Sequence, residues 1–162
     1  MSASIEVYNP LTAYNSAISK LEKNGIRATK QRRVLAKLIF DKGKRHISAE
    51  NLFDEVKKEE RKISMATVYN TLKQFTNLGL IREIVVDQNK SLYCNNNQSH
   101  YHLYIEDEGK VLDIPTKNID LDIPSIPACL QLHDIDVIVR ICLLYTSLSP
   151  RDQRGSGMAG YG

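Results

Sequence analysis

Ser64-Met-Ala-Thr-Val-Tyr-Asn-Thr-Leu-Lys-Gln-Phe-Thr-Asn-Leu-Gly79 is a helix with both ends marked. Ser64 is an N-cap residue, whose hydroxyl accepts a backbone N–H of the first turn, and Gly79 suits the left-handed position that ends a helix. Between them Val68, Leu72, Phe75 and Leu78 recur at helical spacing and form one apolar stripe. Ala66, Thr67, Asn70, Lys73 and Asn77 fall on the other faces, which are small, polar and cationic. The stretch predicts a helix held from behind and open in front.

Three more helices precede it. Pro10 to Asn24 puts Leu11, Tyr14, Ile18 and Leu21 on one face and closes at Gly25. Thr29 caps a second helix that buries Val34, Leu35, Leu38 and Ile39 and ends at Gly43, and Ser48 caps a third with Leu52, Phe53 and Val56 as its stripe. The third runs out into Lys57-Lys-Glu-Glu-Arg-Lys62, a solvated charge run. Downstream of Gly79, Arg82-Glu-Ile-Val-Val and Lys90-Ser-Leu-Tyr-Cys94 read as a hairpin. Helices followed by a hairpin in this order predict a winged helix.

Charge divides the chain. Residues 20–90 carry seventeen Lys/Arg against nine Asp/Glu, a net +8, whereas 91–141 carry three against eight, a net −5. The first part therefore faces a polyanion and the second has another task. Arg27, Lys30, Arg32 and Arg33 cluster at a helix N-terminus, where free backbone N–H groups already favour phosphate.

Asn95-Asn-Asn-Gln-Ser99 is short and polar and predicts a hinge. After it, His100-Tyr-His-Leu-Tyr-Ile105 and Lys110-Val-Leu-Asp-Ile114 flank Glu106-Asp-Glu-Gly109 as a second hairpin. Pro115, Pro124 and Pro127 leave room for a short helix near Lys117 to Asp122, and His133 to Ile141 reads as a third strand. Such a sheet is too small to bury a core alone, so it predicts pairing with a second copy of itself. The fold expected is α+β: a winged-helix DNA-binding domain over 1–94, a hinge over 95–99, and a small α/β dimerisation and sensing domain over 100–141.

Composition, 42% hydrophobic and 25% charged over 162 residues, is that of a globular protein. No apolar run approaches the roughly 20 residues that span a bilayer, and no signal segment opens the chain, so no membrane partner and a cytoplasmic location are expected. Cys94, Cys129 and Cys142 include no CxxC pair, which argues against a disulfide framework or a thiolate zinc knuckle. No HExxH, Gly-rich phosphate loop or nucleophile elbow occurs, so no catalysis is expected. Cys142-Leu-Leu-Tyr-Thr-Ser147 back-translates to the mosaic end of transposon-based sequencing libraries, and Ser149-Pro-Arg-Asp152 fits the adapter that follows. Residues 142–162 are expected to be a non-native read-through.

Gly25-Ile-Arg-Ala-Thr-Lys-Gln-Arg32, His46-Ile-Ser-Ala-Glu-Asn-Leu-Phe53, Ala66-Thr-Val-Tyr-Asn-Thr-Leu72 and Gly79-Leu-Ile81, in that order and spacing, closely resemble the ferric uptake regulator (Fur) family. The Arg45-His-Ile-Ser-Ala-Glu50 block, the Ser64 helix and Ser99-His-Tyr-His-Leu-Tyr104 look like its iron response regulator (Irr) branch. The resemblance implies a dimeric regulator that binds A·T-rich operator DNA in response to iron or haem. It also implies a ligand set of His46, His100 and His102, with Cys94 where most relatives have a carboxylate. The family's CxxC zinc positions fall at Ile105 and Glu108, so no structural zinc is expected there, and no Cys-Pro haem motif occurs. His133 is read as a surface residue.

His100 and His102 stand two apart on a predicted strand and so share a face. They can converge on one ion or bracket a haem iron, and histidine suits Fe2+, Mn2+, Zn2+ and haem alike. The resemblance favours haem at His100 and His102. For DNA, Thr67, Tyr69, Asn70 and Lys73 are the expected readers: Asn70 bidentate to adenine, Tyr69 and Thr67 on thymine methyls. Arg27, Thr29 and Arg32 are the expected backbone contacts, and the resemblance implies that Arg27 enters the minor groove. Two rival readings stand beside this one: a peroxide- or other metal-sensing regulator of the same family, and a haem or metal carrier without specific DNA binding.

Overall fold

The computed structural model describes residues 7–144, which divide between Gln98 and Ser99 into two compact units. Residues 145–162 of the expected read-through lie outside the described residues, and Cys142, Leu143 and Leu144 are exposed.

In the first unit four helices, α1 (Pro10–Lys23), α2 (Lys30–Phe40), α3 (Ala49–Lys58) and α4 (Met65–Asn77), pack around one core. Each begins on a capping side chain: Asn9, Thr29, Ser48 and Ser64 accept backbone N–H groups of the first turn. The α4 stripe is as read, with Val68, Leu72 and Phe75 fully buried and Thr71 added to it. Each of these apolar side chains is worth about 1.5–3 kcal/mol by burial. The helix ends in a Schellman turn, with Gly79 at φ 71°, its N–H bonded to Thr76 O and the Leu80 N–H to Phe75 O. Leu80 and Ile81 then enter the core directly, which fixes where the wing begins.

The wing is the antiparallel pair β2 (Arg82–Asp87) and β3 (Lys90–Cys94), and a two-residue strand, β1 (His46–Ile47), adds to its other edge in the order β1-β3-β2. Sequence periodicity does not show β1, because two residues have no period. Leu11, expected on the buried face of α1, is 67% exposed, and Ala17 takes its place with Ile18 and Leu21. Leu11 is on the stripe but in a first turn that contributes no buried residue.

Asn95 is not a hinge residue. It is buried, with Oδ1 accepting from the Arg45 N–H at 2.7 Å and Nδ2 donating to Ile39 O and Gly43 O at 2.8 Å each. A polar run is read as loop because polar side chains are cheapest in water, yet here protein groups replace the water around this amide.

The second unit is a three-stranded sheet of order β5-β4-β6, with β4 (His100–Ile105), β5 (Lys110–Pro115) and β6 (Ile138–Ile141). β4 and β5 form the expected hairpin, whereas β6 runs parallel to β4. The helix expected at Lys117 to Asp122 is a 3₁₀ turn at Thr116–Asn118, and the strand expected from His133 begins only at Ile138. A parallel partner needs a long crossover. The prolines keep residues 119–137 irregular along that connection.

Two outcomes are expected. Asn95→Ala should strand Ile39 O, Gly43 O and the Arg45 N–H and cost about 2–4 kcal/mol, read as a lowered urea midpoint at unchanged m-value. Glu55 receives Arg45 at 2.6 Å and Lys42 at 3.1 Å. Burial pushes its carboxyl up, but hydrogen bonds from Arg45 and Lys42 outweigh it and hold the group below its ordinary 4.5. A depressed folded pKa contributes stability that is present above the unfolded value and lost as pH falls. Thermal midpoints should therefore drop from about pH 6 to about pH 3 more steeply in the native chain than in Glu55→Gln.

Candidate metal centre and nucleic-acid face

The β-hairpin of the second unit folds back so that His102 faces Asp113 in register. His100 and His102 are buried, 6% and 2% exposed, on the face that alternation predicts for residues two apart. Their rings meet edge to face with centroids 4.5 Å apart and Nε2 atoms 2.8 Å apart. Asp113 Oδ1 lies 3.3 Å from His100 Nε2 and 3.8 Å from His102 Nε2. Three potential ligand atoms thus converge within 4.8 Å of one another. Asp113 was not anticipated, though the Glu106 to Gly109 turn carries the signal. Folding the chain there pairs Ile105 with Lys110 and, three steps on, His102 with Asp113.

Distance decides what such a pair can hold. Two imidazoles bound side by side to one ion at about 2.0–2.1 Å have nitrogens roughly 3.3 Å apart. The observed 2.8 Å is close to that separation. The two rings aim at one small volume. Two imidazole nitrogens and a carboxylate oxygen fit a divalent first-row ion.

In the first unit, His46 on β1 pairs in register with Cys94 on β3, and their ligand atoms lie within 4.8 Å. Cys94 is buried, and its sulfur accepts the Asn96 N–H at 3.4 Å. A sulfur that already receives a hydrogen bond is better able to carry thiolate charge. His133 is exposed, as read.

The outward face of α4 carries Ala66, Tyr69, Asn70, Lys73 and Asn77, all exposed. Thr67 is half-buried, its hydroxyl 2.9 Å from that of Ser64, so it completes the N-cap as well as bordering this face. Tyr69 donates its hydroxyl to Glu50 Oε1 at 2.6 Å. That bond is the main influence pushing the Tyr69 hydroxyl up and the Glu50 carboxyl down from their ordinary values. Thr29 is occupied as the α2 cap. Arg32 is braced, donating Nε to Gln74 Oε1 at 2.9 Å and Nη1 to Arg27 O at 2.6 Å, so it ties the start of α2 to α4. Arg27 is exposed.

The sequence profile of the ferric uptake regulator family matches residues 23–140. The chain belongs to the ferric uptake regulator family. Among curated relatives, the peroxide-responsive repressor PerR of Staphylococcus epidermidis is 29% identical over 104 residues, 64% of this chain and 69% of that protein. Among solved structures, a ferric uptake regulator from Pseudomonas aeruginosa with manganese aligns at TM-score 0.61 and 21% identity, over 77% of this chain and 96% of that one. A zinc-bound manganese uptake regulator aligns at TM-score 0.54 and 27% identity, over 79% and 98%. Like these Fur structures, the chain is α+β, a winged helix followed by a smaller sheet unit. No helix among the described residues is long and apolar enough to cross a membrane.

Asp113→Ala should weaken Mn2+ or Zn2+ affinity by about tenfold or more, read by competition against a chromophoric chelator. His133→Ala should leave it unchanged.

Proposed function

We propose that the chain is a metal-responsive transcription regulator that binds A·T-rich duplex DNA as a homodimer through the exposed face of α4. The observation that carries this reading is the convergence of His100, His102 and Asp113 on one ion-sized volume, in a chain whose other unit is a winged helix. One ion, Fe2+, Mn2+ or Zn2+, takes His100, His102 and Asp113 from the second unit and His46 and Cys94 from the first. The family membership supports a regulator and not an enzyme. The reading of one shared ion is carried over from the ligand set that the family resemblance implies, in which His46 and Cys94 join His100 and His102. A bridging ion fixes the angle between the units. In a homodimer that angle sets the separation of two recognition helices, which must match major-groove repeats about 34 Å apart. Metal can favour the DNA-competent form only by binding it more tightly, so operator must in turn tighten metal binding. The protein then acts in the cytoplasm, where the DNA is.

A peroxide-sensing variant of this function rests on a specific pair of features: the PerR relatives are named as peroxide-responsive, and His100 and His102 place two imidazoles at the same volume. Fe2+ held there puts both rings within reach of any oxidant generated at the metal. The Irr-like blocks support haem as the signal instead, bound through His100 or His102.

The test is fluorescence anisotropy with duplexes recovered by the native chain from a randomised pool, run with each metal ion, with chelator, and at two salt concentrations. Asn70→Ala should weaken the recovered duplex by roughly 1–3 kcal/mol and random duplex hardly at all, whereas Arg27→Ala should weaken both and reduce the salt slope by about one. Affinity indifferent to salt and metal would leave the carrier reading. Mass spectrometry of His100 and His102 after peroxide treatment of the Fe2+ form, and a haemin titration, separate the three signals.

A further inference from the structure

Glu50 has no place in the machinery described so far, yet it is an exposed carboxylate in the first turn of α3 that holds a side chain of the α4 face. Its Oε1 accepts the Tyr69 hydroxyl at 2.6 Å, and Tyr69 remains 44% exposed. A phenol that gives its proton to a carboxylate has none left for a base edge or a phosphate. Its oxygen is directed toward α3, so the ring presents carbon outward. The bond also fixes a side chain with only two rotatable angles, at little entropic cost beyond that of the bond itself.

We infer that Glu50 is a positioning residue that makes Tyr69 an apolar reader of thymine methyl groups and keeps its hydroxyl out of base and phosphate contacts. This rests on the proposed DNA function and says how one position of it is read. The thymine C5 methyl is the one apolar feature of the major groove, so a ring held carbon-outward selects thymine against every other base. Released from Glu50, the hydroxyl is free to pair with the acceptors that all sequences offer, and selectivity falls while contact remains.

The recovered duplexes are resynthesised with deoxyuridine for thymine, which deletes only the methyl groups, and affinity is measured in Mn2+. The native chain should lose about fourfold for each methyl contacted by Tyr69. E50A should lose less than about twofold. E50Q removes the same charge but keeps an oxygen that accepts from the phenol, and should restore the native ratio. Y69F, which has no hydroxyl to be released, keeps an apolar ring and should keep most of the native ratio. E50A should bind random duplex at least as tightly as E50Q, since only E50A frees the hydroxyl for acceptors that every sequence offers. An E50A chain that keeps the native thymine-to-deoxyuridine ratio, or an E50Q chain that fails to restore it, overturns the inference. If E50A does not fold, E50L, which removes the acceptor and keeps the bulk, takes its place, and E50L at the native ratio overturns the inference. Salt-dependent duplex binding by the native chain with no methyl effect refutes the Tyr69 role alone. Absence of duplex binding at any salt refutes the DNA reading and this inference with it.

Discussion

The side chain of Asn95 is the stitch on which the first unit depends. Its amide nitrogen takes two carbonyls at the end of α2, Ile39 O and Gly43 O, while its Oδ1 and its own N–H bond the backbone of Arg45 from both sides. Arg45 precedes His46, and Asn95 follows Cys94. The register that sets His46 opposite Cys94 is therefore locked one residue outside the pair. Arg45 sends its guanidinium on to Glu55 in α3 and to Leu38 O in α2. One buried amide thus connects the helical core, the wing and two candidate ligand residues.

The second unit solves the same problem by other means. Its candidate ligand atoms come from adjacent strands of one hairpin, so strand pairing brings them together. His100 and His102 share a face because they are two apart, and Asp113 joins them because it is the register partner of His102. Both imidazoles are buried, while the Asp113 carboxylate beside them is partly exposed.

Much of this was legible in the sequence, and the failures have physical causes. The caps and the α4 stripe were readable because a capping hydroxyl and a 3.6-residue period are local facts. Asn95 was misread because a buried amide and a solvated one look alike until the carbonyls that meet it are known. Arg32 reads as a phosphate contact from its neighbours, yet its Nε is bound to Gln74, forty-two positions away. The Glu50–Tyr69 bond is likewise a tertiary fact, nineteen positions apart. Between Pro115 and Ile138 local propensity was outweighed by the need to carry the chain to a parallel edge.

That parallel strand has a consequence for the order in which the protein forms. From His102 to Ile105 each β4 residue meets a β6 partner thirty-six positions further on, as His102 does Ile138. The helices of the first unit, by contrast, are joined by short turns and gain contacts with near neighbours. Closing a long irregular connection costs chain entropy before any hydrogen bond repays it, so such pairings form late. During synthesis the winged helix can finish folding while β4 and β5 still wait for their third strand. Until β6 arrives, one edge of β4 is open, and a strand from any neighbouring chain competes for it.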